Sequence, residues 1–392
     1  MENIVLKIPY GMRDFLPDEA KEKRLIENKI AELFSKWGYK EVVTPTMEYL
    51  DTLMFGENRK DESRLIKFVA KDNRTIALRH EMTTPIARLA AMRFKDSPLP
   101  LKLSYISGVY RNAEIQKGRQ CEFYQAGVEL IGSQSAAADA EIIALAVYGI
   151  LAAGIKNFKV SIGRVDFVKG IMEQYRIPSD VAENLQQVME RRNLVEYEKI
   201  IDSLEISAEG KAALKEIPYL KGNGEILNRA RNMALNEQSR YAIERLTEVY
   251  SILEAYEVSE YISFDLGILR DMNYYTGIVF EAYTAGLGFP LCGGGRYDRL
   301  LSDFGRPLPA IGFAIGIERI LLAKEREGNS DKDNSTGIYI AYAEGKLKEA
   351  IAKAKELRLA GKIICLALQA ENEEQAKLYG GENGFDEVVY LK

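Results

Sequence analysis

The stretch from Ile268 to Glu281, ILRDMNYYTGIVFE, constrains this 392-residue chain more than any other. It joins a strand-like apolar run to charged and aromatic residues that a strand does not need. Val279 and Phe280 suit a pleated surface, while Tyr274 and Tyr275 add two large rings with polar tips. Arg270 lies just upstream, inside an otherwise apolar pattern. A guanidinium beside two phenols makes a polar site suited to a small zwitterion, with the arginine on its carboxylate. A surface strand with one ordinary arginine is the competing reading. Two further motifs follow, the glycine-rich CGGGRYD (Cys292–Asp298) and GFAIGIER (Gly312–Arg319). It is the ordered set of three that points to a functional site.

Length alone suggests two or three domains. Hydrophobic residues make up 47% and charged residues 28%, the balance of an ordinary globular protein. A net charge of −5 argues against a general nucleic-acid scaffold. Cys121, Cys292 and Cys365 are far apart and show no metal spacing, so a reduced, cytoplasmic setting is expected. The single histidine, His80, excludes a histidine-rich metal site. No metal and no cofactor are expected. The opening MENIVLKIPYG has no basic-then-apolar signal pattern, and the apolar run Ile142–Ile155 is too short to span a bilayer. That run reads as a buried helix following Asp139 and Glu141, and no membrane association is expected.

Taken in order, Pro17, Asp18 and Glu19 open a helix whose Ile26, Ile30, Leu33, Phe34 and Trp37 share one face, with Gly38 as its stop. Tyr39–Thr44 reads as a strand ended by Pro45. Ile66–Ala70 and Thr75–Arg79 read as a hairpin, and LRHEMTTP then places Glu81 and Thr83 at a strand-to-helix junction. A solvated loop acid is the plainer reading of Glu81. Leu101–Tyr110 and Cys121–Ile131 read as strands flanking a basic loop that begins at Arg111. Gln125 and Glu129 share one face of the second strand, and if buried they need partners; a polar outer face is the alternative. From Asn157 to about Glu260 the texture is helical and carries no chemical motif. The sheet pattern resumes at Tyr261 and runs to Leu322. Glu325–Thr336 reads as a linker, and the remainder as a small unit with strand, helix, strand and strand candidates. The expected domains are therefore 1–158 with 261–325 as the core, 159–260 as a helical insertion, and 336–392 as a short C-terminal α/β unit.

The order of GMRDFLP, LRHEMTTP, YRNAEIQKGRQCEFYQ, LRDMNYYTGIVFE, CGGGRYD and GFAIGIER resembles histidyl-tRNA synthetase, a class II synthetase, over roughly residues 8–325. The resemblance implies an α+β fold: an antiparallel sheet flanked by helices, with Arg111 in motif 2, Arg319 in motif 3, and dimerisation around Pro45. It implies a histidine-binding set. Glu81, Thr83 and Gln125 would hold the amino group, Glu129 and Tyr275 the imidazole, and Arg270 the carboxylate. Tyr274, Tyr297 and Arg111 complete the set.

The nucleotide side departs from the synthetase pattern. Ala113 stands where motif 2 carries a glutamate, Cys121 where the family has an arginine, and Met82 where it has a glycine. Loss of one such charge-assisted contact costs about 1.5–3 kcal/mol. Gly277 stands where the synthetase tends to be basic, and the C-terminal unit is shorter than an anticodon-binding domain. A relative matches these departures better: the ATP phosphoribosyltransferase regulatory subunits, synthetase-like proteins of histidine biosynthesis. That likeness implies a non-catalytic subunit that assembles with a short-form catalytic ATP phosphoribosyltransferase. Within that hetero-oligomer it would be a homodimer with histidine as effector and no tRNA. An active histidyl-tRNA synthetase with a degenerate motif 2 is the alternative.

Overall fold

The computed structural model describes residues 6–54, 62–112, 120–268, 275–328 and 337–392. Two compact units divide the chain, residues 1–330 and 331–392. The first unit opens with α1 (Pro17–Lys36), β1 (Lys40–Glu41), β2 (Met47–Tyr49), α2 (Leu50–Leu53), β3 (Lys67–Val69), β4 (Thr75–Leu78) and α3 (Thr83–Arg93). It continues through β5 (Leu101–Tyr110), β6 (Glu122–Ile131), α4 (Ala136–Ala152), β7 (Phe158–Arg164) and α5 (Val165–Gln174). Then come α6 (Ser179–Glu190), α7 (Leu194–Ser203), α8 (Ala208–Glu216), β8 (Lys221–Gly222), α9 (Ile226–Met233) and α10 (Glu237–Ala255). It closes with β9 (Ile262–Asp265), β10 (Ile278–Thr284), β11 (Cys292–Arg296), α11 (Leu300–Asp303), β12 (Ala310–Gly316) and α12 (Ile317–Glu327).

A nine-stranded sheet organises this unit, in the order β1-β5-β6-β12-β11-β10-β7-β9-β8. Its middle, from β5 through β7, is antiparallel throughout, whereas β1 joins β5 and β9 joins β7 in parallel. The sheet is therefore mixed at its margins rather than antiparallel from edge to edge. One face packs on α1 and α4: Phe34 meets Phe313 edge-on at 5.9 Å, and Gly149 lets α4 approach Ile315. Helix α4 is apolar on nearly every side, as a helix enclosed by core must be. It starts earlier than its apolar run suggests, because Ser135 caps it by accepting the Ala138 N–H at 3.1 Å. The opposite face of the sheet packs on α3 and α11 around Leu103, Tyr105 and Leu301. β2, β4 and β3 form a separate small sheet.

The expected strand at 39–44 shrinks to Lys40–Glu41, and the amide of Val42 adds one further bond, to Ser104. Phe158–Arg164, expected within the helical stretch, is a strand of the large sheet, between β10 and β9. Its buried Phe158, Val160 and Ile162 alternate with Lys159 and Ser161, a period of two. Helix α12 runs three residues into the expected linker and ends at Gly328, whose φ of 69° is the left-handed stop. Among the described residues no helix is long and apolar enough to cross a membrane, and no cluster of side chains has the make-up of a metal site.

The second unit holds β13 (Ile338–Tyr342), α13 (Leu347–Leu359), β14 (Ile364–Leu366), α14 (Glu373–Glu382) and β15 (Glu387–Leu391). Its three strands are all parallel, in the order β14-β13-β15. Parallel pairing demands a crossover between β14 and β15, and α14, absent from the sequence expectation, supplies it. Asn372 and Gln375 form its capping box. Gly380, which reads as a breaker, is needed inside the helix because a Cβ there would stand 2.2 Å from Val388.

Candidate functional site

The site is built on the face of the sheet that carries α3. Residues two apart on a strand share a face, so Gln125, Gly127 and Glu129 of β6 project together. Across the register Glu129 pairs with Gly312 of β12, and Gly312 with Gly295 of β11. Paired side chains point the same way, and here two of them are missing. The carboxylate of Glu129 lies over Gly312, where a Cβ would stand 1.9 Å from Oε2. The Tyr275 ring lies over Gly295, with 2.7 Å to the nearest ring carbon from such a Cβ. The Tyr105 hydroxyl covers Gly127 in the same manner, at 2.4 Å. Three glycines thus form a floor on which an acid and two phenols lie flat.

Glu129 is 1% exposed. The Thr83 hydroxyl donates to its Oε1 at 2.9 Å, and the Tyr297 hydroxyl donates to its Oε2. Burial pushes the Glu129 carboxyl up to about 8; the Tyr297 and Thr83 hydroxyls pull against that rise, and the Glu81 carboxylate adds to it. Glu129 therefore carries a proton for much of the time at neutral pH. A group in this state can donate to an imidazole nitrogen or, once ionised, accept from an imidazole N–H.

Glu81 is neither a plain solvated acid nor an open ligand. Its carboxylate accepts the backbone N–H groups of Thr83 at 2.5 Å and Thr84 at 3.0 Å, capping α3, whose own N-cap residue Met82 has no polar side chain. Met82 itself is buried in the cluster beneath α3, with Ile86 and Leu103. Gln125 is half-buried on the site face, opposite Ser107 and Gly316. Arg270 and Tyr274 lie outside the described residues. The structure thus brings Glu81, Thr83, Glu129, Tyr275 and Tyr297 around one patch of sheet, with Gln125 further along it.

Arg111 lies further along the same face, beside Phe123, which projects with Gln125 from β6. Its Nε donates to the His80 carbonyl at 3.0 Å, and its guanidinium lies 5.0 Å from the centre of the Phe123 ring. Arg319 is held in the same way: it donates to the Pro290 carbonyl at 2.6 Å and lies 5.3 Å from the Phe289 ring. The Cys121 thiol is buried against Gly11, where the backbone takes a φ of 73°. The motif 2 and motif 3 arginines of the synthetase likeness each engage a backbone carbonyl and a ring. Ala113 lies outside the described residues.

Two parts of this region escape a reading of the sequence. Tyr105 sits mid-strand like any core aromatic, and only its register opposite Gly127 reveals its place. The other is Asp139, 1% exposed inside α4. Arg296, the residue before Tyr297, donates to its Oδ1 from Nη2 at 2.5 Å and Nε at 2.8 Å, and Arg245 of α10 reaches its Oδ2 at 3.2 Å. An acid within an apolar run was the available signal, since a buried carboxylate must find partners.

A long antiparallel platform, helices on both faces and a ligand-sized floor of glycines across its central strands define a class II aminoacyl-tRNA synthetase-like protein. The profile of the histidyl-tRNA synthetase family matches residues 11–320. A histidyl-tRNA synthetase from Nostoc, 19% identical, superposes with a TM-score of 0.85 over 99% of this chain and 92% of its own, a likeness of fold. A Bacillus halodurans structure described as an ATP phosphoribosyltransferase regulatory subunit/histidyl-tRNA synthetase is 34% identical, with a TM-score of 0.89 and all of both chains covered. The ATP phosphoribosyltransferase regulatory subunit of Desulforamulus reducens is 40% identical over 381 residues, 97% of this chain and 94% of the relative. That of Thermoanaerobacter pseudethanolicus is 40% identical over 390 residues, 99% of this chain and the full length of the relative. The chain belongs to the family of ATP phosphoribosyltransferase regulatory subunits.

Proposed function

We propose that this chain assembles with a catalytic ATP phosphoribosyltransferase subunit and acts on it without catalysing the reaction itself. Histidine is the effector, bound on the glycine floor with its imidazole at Glu129. The observation that carries the reading is Glu129, a buried carboxyl poised near neutrality between two hydroxyls. A carboxyl and an imidazole both titrating near pH 7 can share one proton over the physiological range. Histidine then shifts the complex toward its less active state by binding that state better, with a coupling of about 1–3 kcal/mol typical of such linkage.

The same reading accounts for the nucleotide side. An adenylating enzyme needs its arginines aimed at phosphate oxygens. Arg111 and Arg319, each held on a carbonyl and a ring, have taken up structural work. Histidine-dependent exchange of pyrophosphate into ATP tests this directly. The proposal expects no exchange from the purified chain, and restored phosphoribosyl transfer when the chain is added to its catalytic partner. Robust exchange would instead mean a working synthetase.

A further inference from the structure

Two asparagines of the chain are followed by glycine, Asn223 and Asn383. Such a pair can react with itself. The amide nitrogen of the glycine attacks the asparagine Cγ, the Cγ–Nδ2 bond breaks and ammonia leaves. Water then opens the five-membered imide to aspartate or to isoaspartate. Glycine permits the attack because it has no Cβ to crowd it and its backbone turns freely. The reaction asks three things of a fold: an attacking N–H that is not engaged, a leaving Nδ2 that is not held, and access for water.

The two pairs meet these demands differently. Asn383 ends α14, where its Nδ2 donates to the Tyr379 carbonyl at 2.8 Å and the Gly384 N–H donates to the Gly381 carbonyl at 3.2 Å. Attacking and leaving nitrogens are both tied down there. Asn223 stands exposed in the turn between β8 and α9. Its Oδ1 accepts the Glu225 N–H at 3.1 Å, which folds the side chain back over the intervening Gly224 amide and draws electrons from Cγ. The carbonyls of Asn223 and Gly224 accept from Ile226 at 3.1 Å and Leu227 at 3.2 Å. Among the described residues, neither the Gly224 N–H nor the Asn223 Nδ2 has a hydrogen-bond partner. The turn is fixed, and its two reacting nitrogens are open.

We propose that Asn223 is a site of spontaneous covalent modification, converting to aspartate and isoaspartate through a cyclic imide with Gly224. Either product places a carboxylate at the start of α9, where a helix N-terminus favours negative charge. Isoaspartate also adds one main-chain carbon directly after β8, the outermost strand of the sheet. β12, β11, β10, β7 and β9 separate this strand from β6, and the modification does not depend on the role of Glu129.

Incubating the full-length chain at pH 8 and mapping its tryptic peptides by mass spectrometry tests this. Gly222–Arg229 and Leu378–Lys392 carry one Asn-Gly pair each, and fragmentation separates Asn223 from Asn228 in the first. Asn223 is expected to convert at least tenfold faster than Asn383, to a mixture of aspartate and isoaspartate. In urea, with the fold removed, the two rates should converge. Gly224→Ala, whose Cβ would stand 3.2 Å from the Tyr250 ring, should slow conversion of Asn223 at least fivefold and leave Asn383 unchanged. Asn223→Gln, a second variant, should leave its peptide unconverted. The proposal is overturned if Asn223 converts no faster than Asn383 in the folded chain, or if the tenfold ratio persists in urea. Conversion of Gly224→Ala at the parent rate, or conversion of the Asn223→Gln peptide, would overturn it equally.

Discussion

Glu129 and Asp139 are buried to the same degree, each 1% exposed, and the fold treats them in opposite ways. Asp139 is given two arginines, one on each oxygen. Glu129 is given two hydroxyls, and among the described residues no cation is bonded to it. Burial raises both carboxyls, but at Asp139 the guanidinium of Arg296 leads the opposition, with Arg245 and Arg164 behind it. An acid neutralised by its own protein has no charge to offer a ligand. One softened only by hydroxyls keeps its protonation open to whatever arrives. The first joins α4, β11 and α10; the second is left for recognition.

Breaking the first arrangement should have the largest effect. Arg296→Met leaves the Asp139 carboxylate buried with half its partners, and removal of one member of a buried pair costs about 3–5 kcal/mol. Urea unfolding should report a loss of that order. A loss under about 1 kcal/mol would mean that Asp139 is not ionised in the fold, and the contrast would fail. Next in size is Gly312→Ala. Its methyl would collide with the Glu129 carboxylate and with the Val128 carbonyl, 2.5 Å away. Overpacking of this kind costs about 1–3 kcal/mol. The same denaturation experiment checks it, and an undisturbed variant would show that the glycine floor is not needed.

The pH dependence sharpens the comparison most. The folded-state value of Glu129 is raised to about 8, above the ordinary carboxylate range, so the folded chain holds a proton that the unfolded chain releases. The stability tied to that proton is present at low pH and is lost as pH rises toward 8, with a slope of about 1.4 kcal/mol per pH unit while the folded chain holds one more proton. Stability curves between pH 5 and 8 should therefore flatten in Glu129→Gln relative to the parent. Parallel curves would mean that Glu129 is already ionised at pH 5.

Much of the platform could be read from residue order. The α1 stripe, the pair β5 and β6, and the hairpin of β3 and β4 each have a clean period or turn, with Asn73 at a φ of 61° in the last. Gln125 and Glu129 share a face for the same reason. β7 was hidden because seven alternating residues stand at the border of a long helical stretch, where local pattern cannot say which sheet they join. α14 was hidden by its paired glycines, whose purpose appears only once Val388 is packed against one of them. The partners of Asp139 come from residues more than a hundred positions away. Charge pairing at that range follows from topology, and the sequence offers only the unmatched acid. The glycine floor is a register effect too, since CGGGRYD does not announce that Gly295 will stand beside Gly312.

The central claim is that Glu129 is the histidine-recognising group. Calorimetric titration of histidine into the parent chain and Glu129→Gln, repeated from pH 5.5 to 9, tests it most directly. The account predicts binding strongest between about pH 6.5 and 8, where imidazole and carboxyl hold one proton between them. Affinity should fall below that window, where both groups are protonated, and above it, where the shared proton is gone and only the N–H of neutral imidazole is left to meet a buried carboxylate. Glu129→Gln should bind at least tenfold more weakly and without the bell-shaped profile. Equal affinity and the same pH profile in the two proteins would contradict the account.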